Sequence, residues 1–433
     1  MPKVAFFTLG CKVNQADSGS MEELFRKAGY EVVAFDETAD VYVINTCVVT
    51  NVAQSKSRQI IRRAIKKNPA AVIAVAGCYP QTNAAEAKNI EGVDLLIGND
   101  QRQRIVELVK KVKQSGYVDA VRSFAKNTEF EELMAGNVDN RTRAFLKVQE
   151  GCNQFCTYCI IPYARGPLRS RSIDSIKSEA QRLASLGFKE IVLIGIHLGA
   201  YGAEKKDGTK LTDTLKAVLT VPEIKRVRLG SLESIEIDEE LLAMMVEDKR
   251  ICRHLHLPLQ SGCNEILKKM NRPYSVTDYS NLSQKIRSIV PDIAITTDVI
   301  VGFPGETEAM FQETCDFVQK MNFSKVHVFP FSVRKGTPAE KFSQQIGTKE
   351  KELRAKKLIK ISDDQKKEFL MTLLTQKEEV LFEQIHVDKG LMSGMTKSYL
   401  KVFTKTDEQF IGKIKTVCIK SLYKEDLFAE IIV

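Results

Sequence analysis

Short apolar runs open the chain and recur at intervals: Val4-Ala5-Phe6-Phe7-Thr8-Leu9, Val41-Tyr42-Val43-Ile44-Asn45-Thr46 and Val72-Ile73-Ala74-Val75-Ala76. Runs of this length, separated by helical patterns, are those of βαβ units in a parallel sheet covered on both faces. Val93-Asp94-Leu95-Leu96-Ile97 reads as a further strand, and residues 115–140, rich in Gly, Asn and Asp but poor in periodicity, read as a linker. Residues 1–135 are thus expected to form an α/β domain. From 141 the alternation changes scale, with strands expected at Ala144 to Gln149, Glu190 to Ile194, Val227 to Leu229, His254 to Leu259, Ile293 to Val301 and Lys325 to Phe331, and amphipathic stretches between them. Six βα repeats predict a partial (β/α)6 barrel, completed at 370 by a charged helix. Residues 371–433 turn to short strand patterns without intervening helices and predict a small β-barrel.

Each of the first three apolar runs ends at a cysteine: Cys11, Cys47 and Cys78. Carboxyl ends of parallel strands share one sheet edge, so these thiols are expected to converge there as a metal site. A buried cysteine after a strand can also be no more than a small hydrophobe, but three in one structural position favour the metal. Parallel barrels likewise gather their chemistry at the carboxyl ends of the strands. The groups expected there are Gly195 and His197, Ser231 and Glu233, Gln260, and Asp298. Glycines let a ligand approach the backbone and carboxylates accept from ribose hydroxyls, which suits a nucleoside-like cofactor.

The sharpest signal is the run Gly151-Cys152-Asn153-Gln154-Phe155-Cys156-Thr157-Tyr158-Cys159. Three thiolates at this spacing can each hold one iron of a cubane cluster and leave the fourth iron open for chemistry. Structural zinc wants four ligands in closed tetrahedral geometry, and no fourth Cys or His lies nearby. A non-catalytic protein that holds zinc and binds RNA is the reading from another class. The remaining Cys252, Cys263, Cys315 and Cys418 lack partner spacing and read as packed thiols.

The whole chain narrows these options. Its 433 residues require more than one core. No stretch of about 20 apolar residues occurs and the N-terminus runs directly into a strand, which argues against a membrane span or secretory leader and for a cytoplasmic protein. Ten cysteines in that reducing compartment point to metal or redox use rather than a disulfide framework. The net charge of +9 leans toward an anionic partner, and residues 55–69 hold six basic side chains and no acidic one. The last segment, with nine Lys against nine Asp and Glu, is not basic.

Taken together, Gly10-Cys11-Lys12-Val13-Asn14-Gln15, the strand-end Cys47 and Cys78, and the segment Gly151 to Gly166 resemble the radical S-adenosylmethionine (SAM) methylthiotransferases over the whole chain. The resemblance implies a radical SAM barrel, a C-terminal RNA-contacting barrel called TRAM, and two 4Fe-4S clusters, one on Cys152, Cys156 and Cys159 and an auxiliary one on Cys11, Cys47 and Cys78. It implies two roles for SAM, methyl donor and radical source, and replacement of a C–H bond by C–S–CH3. Gly-Cys-Lys-Val-Asn-Gln and Gly195-Ile196-His197-Leu198-Gly199 are similar to the enzymes acting on N6-threonylcarbamoyladenosine at position 37, beside the tRNA anticodon. Relatives acting on isopentenyladenosine or on a ribosomal protein are the alternative. The implied partners are the tRNA anticodon loop, SAM, an electron donor and a sulfur source, with a monomer as the default. The helix at 55–69 and Arg141, Arg143, Arg165, Arg169 and Arg171 are expected to contact phosphates.

Overall fold

The computed structural model describes residues 1–125, 127–136, 142–406 and 408–432. Strands β1 (Lys3–Thr8), β2 (Glu31–Val33), β3 (Val41–Thr46), β4 (Val72–Gly77), β5 (Leu95–Ile97) and β6 (Val118–Asp119) form one parallel sheet in the order β2-β1-β3-β4-β5-β6. Every residue of β3 and β4 is buried, as strands covered on both faces require. Helix α1 (Lys12–Lys27) covers one face through Met21 and Phe25, and helix α2 (Asn51–Lys67) the other through Ile60, Ile61 and Ala64.

The central strands are β7 (Arg143–Lys147), the two-residue pair β8 (Gln149–Glu150) and β9 (Arg169–Ser170), then β10 (Glu190–Ile194), β11 (Arg226–Leu229), β12 (His254–His256), β13 (Ala294–Val301) and β14 (Lys325–Pro330). Two parallel ladders, β7-β10-β11 and β12-β13-β14, are joined by parallel bridges from Val227 to Ile251 and from Ser231 to His256, giving the expected open barrel of six strands. Alternation sorts its side chains. Leu146, Ile191, Leu193, Val227, Leu255 and Ile295 belong to the large core shared with the surrounding helices. Phe145, Val192 and Ile194 point the other way and meet Val13 and Ala16, so α1 of the first domain lies against the concave face of the barrel.

The helix Thr348–Met371 buries Ala355 and Leu358 in the barrel core and leads to a closed barrel of β15 (Lys377–His386), β16 (Leu391–Thr396), β17 (Lys401–Lys405), β18 (Ile414–Tyr423) and β19 (Asp426–Ile431). The end of β16 and the turn after it reach the central barrel: Arg226 donates to the Met395 carbonyl, and Arg228 to the carbonyls of Thr396 and Lys397.

Some boundaries differ from the sequence expectation. The fourth barrel strand stops at His256 rather than Leu259, because Pro258 has no N–H for the ladder. Part of the expected linker is ordered: Val118–Asp119 forms the sixth strand, and the Ala135 amide donates to Glu179 at 2.6 Å. The end of that linker, with Arg141, lies outside the described residues. Among the described residues no helix is long and apolar enough to cross a membrane.

Candidate functional site

The register of the first sheet sets three thiols on one edge. Thr8 pairs with Asn45, and Thr46 with Gly77, so the chain leaves three adjacent strands at the same level and enters Cys11, Cys47 and Cys78. Gly10 holds φ +102°, and a Cβ there would lie 3.0 Å from the Cys47 sulfur, so only glycine lets Cys11 approach its partner. Asn14, buried on α1, donates to the Leu9 and Thr46 carbonyls and accepts the Cys11 thiol at 3.9 Å. The Asn99 amide donates to the Cys78 sulfur at 3.6 Å. Cys47 and Cys78 are buried and Cys11 is exposed. Burial, with Cys78 beside it, pushes the Cys47 thiol up to about 11.

The second trio sits on the loop after β8. Gly151 holds φ +78°, and a Cβ there would lie 1.8 Å from the Pro167 carbonyl oxygen. The Cys152 amide bonds to Gly166, Thr157 to Met270 and Cys159 to Cys156, which fixes the loop on both sides. Around the sulfurs stand polar groups: His197 Nδ1 is 3.6 Å from Cys152, and Arg272 donates to Cys156 at 3.3 Å. Burial, with Cys156 and Cys152 adjacent, pushes Cys159 up to about 12.

Each trio offers three thiol sulfurs, the donor chemistry of an iron–sulfur site. Among the described residues the one group of three ligand-type side chains whose atoms all lie within 4.8 Å is His256, Asp298 and His327. Three thiol sulfurs with no fourth Cys or His in the same loop suit a cluster with one iron left free.

Arg165, at the end of the short helix Ile161–Arg165 behind the cysteine loop, connects the two centres. It is fully buried, donates to Asp17 and Glu150 at 2.9 Å each, and bonds to the side chain of Asn14. Its pKa is held well above the usual value against the cost of burial, by Glu150, Cys78, Asp17 and Cys11 in that order. One guanidinium from the barrel domain thus acts on sulfurs of the other. Arg102 and Lys147 complete a buried network with the same two carboxylates.

The rim residues divide by role. His197 is braced between Cys152 and Glu236, the latter at 2.6 Å; burial opposes its charge, but these two partners raise its pKa to about 10. Glu233 is bound by Arg272, and a Cβ on Gly195 would lie 2.8 Å from the Gln149 side-chain oxygen. These three shape and support the cysteine loop. Ser231 is exposed, and Asp298 Oδ2 is 3.2 Å from His256 Nε2. Gln260 adopts φ +69°, unusual for a residue with a side chain, while its backbone bonds to Asp298 and Ile300.

The phosphate-contacting arginines expected from the sequence need correction. Arg165 is fully buried; Arg169 and Arg171 are 4% exposed, Arg169 donating to the Arg165 carbonyl and Arg171 to Ser175. Arg143 is paired with Glu383 at 2.6 Å. Arg143 and Arg165 bond across domains, and burial keeps Arg165, Arg169 and Arg171 from a phosphate backbone. The basic helix α2 is different: Arg58 and Arg63 pair with Glu86 and Asp36, but Lys56, Arg62, Lys66 and Lys67 are exposed. Arg272 is a neighbour of the cysteine loop that the sequence does not announce, because nothing local signals that it will meet a sulfur 116 positions away.

Comparison with known proteins agrees with this architecture. Residues 3–98 match the model described as uncharacterized protein family UPF0004, and residues 146–318 match the radical SAM superfamily. The chain is 43% identical to the threonylcarbamoyladenosine tRNA methylthiotransferase MtaB of Bacillus subtilis, over 100% of this chain and 97% of that one. It is 35% identical to the tRNA-2-methylthio-N(6)-dimethylallyladenosine synthase of Acetivibrio thermocellus, over 96% and 88%. Among solved structures, the radical SAM methyltransferase TsrM of Kitasatospora setae shares the fold, with a TM-score of 0.58 at 15% identity over 78% of this chain and 77% of that one. Two thiol trios on a parallel sheet and a six-stranded barrel, together with likeness along the full length, place this chain in the radical SAM methylthiotransferase family.

Proposed function

We propose that this protein replaces the C2–H of N6-threonylcarbamoyladenosine, beside the tRNA anticodon, by a methylthio group. The carrying observation is the link through Arg165, which bonds to Asn14, the acceptor for the Cys11 thiol, and to Glu150, two residues before Cys152. Sulfur donation and hydrogen removal must reach the same carbon, so two centres facing one space are what the reaction needs. The greater identity to the threonylcarbamoyladenosine enzyme, 43% against 35%, supports the choice of nucleoside over dimethylallyladenosine.

Cys152, Cys156 and Cys159 would hold one 4Fe-4S cluster, and Cys11, Cys47 and Cys78 the auxiliary one. Bound clusters and SAM supply the one-electron and sulfur chemistry that a ring C–H demands, since such a bond is far too weakly acidic for a side-chain base. The chain's own part is positioning. Arg272 and Asn99 donate to cysteine sulfurs, which lowers electron density on the ligands and tunes the centre. Glu233 and Tyr274 hold Arg272 in place, and Glu236 holds His197 against Cys152. Ser231, Asp298 and the Gln260 backbone line the rim where SAM would lie. The exposed cations of α2 would attract the tRNA backbone.

The test is anaerobic incubation of the reconstituted protein with SAM, a reductant and tRNA carrying threonylcarbamoyladenosine, followed by mass spectrometry of the nucleosides. The 2-methylthio derivative of that nucleoside is the expected product. Modification of isopentenyladenosine instead, or of neither, refutes the proposal.

A further inference from the structure

Lys12 follows Cys11 as the first residue of α1, the helix that lies on the concave face of the barrel. Its ammonium is 5.2 Å from the ring centroid of Tyr399, in the turn between β16 and β17 of the C-terminal barrel. Tyr399 holds φ +63°, and its ring is also stacked by Arg228 at 4.8 Å and Arg143 at 5.5 Å. His254 lies 5.1 Å from the Tyr399 ring, and on the neighbouring barrel strands His256 and His327 have tilted rings 5.7 Å apart. Side chains of all three domains therefore meet around the Tyr399 ring, with Lys12 one position along the chain from Cys11.

The charges around that ring do not balance. Arg143 is neutralised by Glu383, Arg228 and Arg226 share Glu190, and the remaining carboxylate, Asp298, lies 3.2 Å from the His256 ring, so Arg143, Arg226, Arg228 and Lys12 face three carboxylates. Lys12 is left without a carboxylate among the described residues. The surroundings register the excess: beyond the effect of burial, His254 is pushed down by Arg228, His256, Lys12 and His327, and the Tyr399 phenol is lowered despite burial by Lys12, Arg143 and Arg228. A partly enclosed cation of this kind favours an anion, and the charge-assisted hydrogen bonds it offers are stronger than neutral ones.

We propose that Lys12 binds the carboxylate of the threonylcarbamoyl substituent and thereby selects the charged nucleoside over uncharged N6 substituents. This rests on the nucleoside assignment above and names the residue that makes the choice. The position is suited to it: a group that grips the N6 substituent from beside Cys11 holds the adenine ring next to the sulfur centre that must reach C2.

The experiment compares two anticodon stem-loop RNAs, one with the natural substituent and one with its carboxylate replaced by a carboxamide, for wild type, Lys12→Met and Lys12→Arg. Equilibrium binding and kcat/KM are read for each pair. Wild type should prefer the carboxylate RNA by about 10- to 100-fold, the range of a hydrogen bond to a charged group. Lys12→Met should abolish that preference by weakening the charged RNA alone, and Lys12→Arg should keep most of it. A structural role for Lys12 would lower both RNAs equally and leave the ratio intact, which overturns the proposal. If wild type modifies the carboxylate RNA but Lys12→Met discriminates as before, the specificity proposal fails and the nucleoside assignment survives. If wild type modifies neither RNA, both fall.

Discussion

Asp17→Ala tests how the two domains are held in register. Asp17 is 1% exposed and accepts from Arg102 at 2.5 Å, Arg165 at 2.9 Å and Lys147. Glu150 accepts from the same three cations at 3.1, 2.9 and 3.0 Å, and Glu131 from Arg102 at 2.8 Å. Three buried cations therefore face three carboxylates, and removing Asp17 leaves three facing two. Stranding one buried charge costs about 3–5 kcal/mol. Because Asp17 lies on α1 and its partners Lys147 and Arg165 on the barrel, the cost falls on the seam between domains. Hydrogen exchange of the α1 amides in the native protein measures it: protection should drop roughly 200- to 4,000-fold, the same free energy expressed as an opening equilibrium. Asp17→Asn, which keeps the shape and one acceptor, should lose less. Adding Lys147→Met to Asp17→Ala restores two cations to two carboxylates and should recover part of the protection, the signature of coupling within one network. Protection in Asp17→Ala within tenfold of wild type, or a double variant no better than the single one, would refute the reasoning.

Two further outcomes are expected. Gly151→Ala drives a Cβ into the Pro167 carbonyl at a positive φ, so the cysteine loop should fail to assemble and the reconstituted protein should carry about half the iron of wild type, with its first domain intact by proteolysis. Replacing Arg62, Lys66 and Lys67 by Ala should weaken tRNA binding for all sequences alike and reduce the slope of log affinity against log salt by about 2–3, near 0.7–0.9 for each phosphate no longer neutralised; an unchanged slope would place the RNA elsewhere.

How far the residues alone announce this structure depends on the range over which each signal acts. Val41–Thr46 and Val72–Gly77 declare themselves, because unbroken apolar runs have few homes other than a doubly covered sheet. Their register then follows, and with it the meeting of Cys11, Cys47 and Cys78. Leu391–Thr396 gives no such strand signal: it lacks alternation, and its Gly394 is there because a Cβ would lie 2.2 Å from the Leu381 carbonyl oxygen, a constraint set by another strand. Arg143, Arg165, Arg169 and Arg171 look like a phosphate-binding set by composition. Their buried roles come from carboxylates, carbonyls and hydroxyls delivered by tertiary contacts, such as Glu383, 240 positions from Arg143. Lys12 is legible as part of a motif, but the Tyr399 ring beside it comes from another domain.

Iron content after separate removal of each trio probes the central claim most directly. Wild type, reconstituted without oxygen, should hold about eight irons, two clusters of four. Replacing Cys11, Cys47 and Cys78 together by Ala should leave about four, and replacing Cys152, Cys156 and Cys159 should also leave about four, each remainder with the paramagnetic spectrum of a reduced 4Fe-4S centre. Zinc in place of iron, or loss of all iron from either triple variant, would contradict two independent clusters.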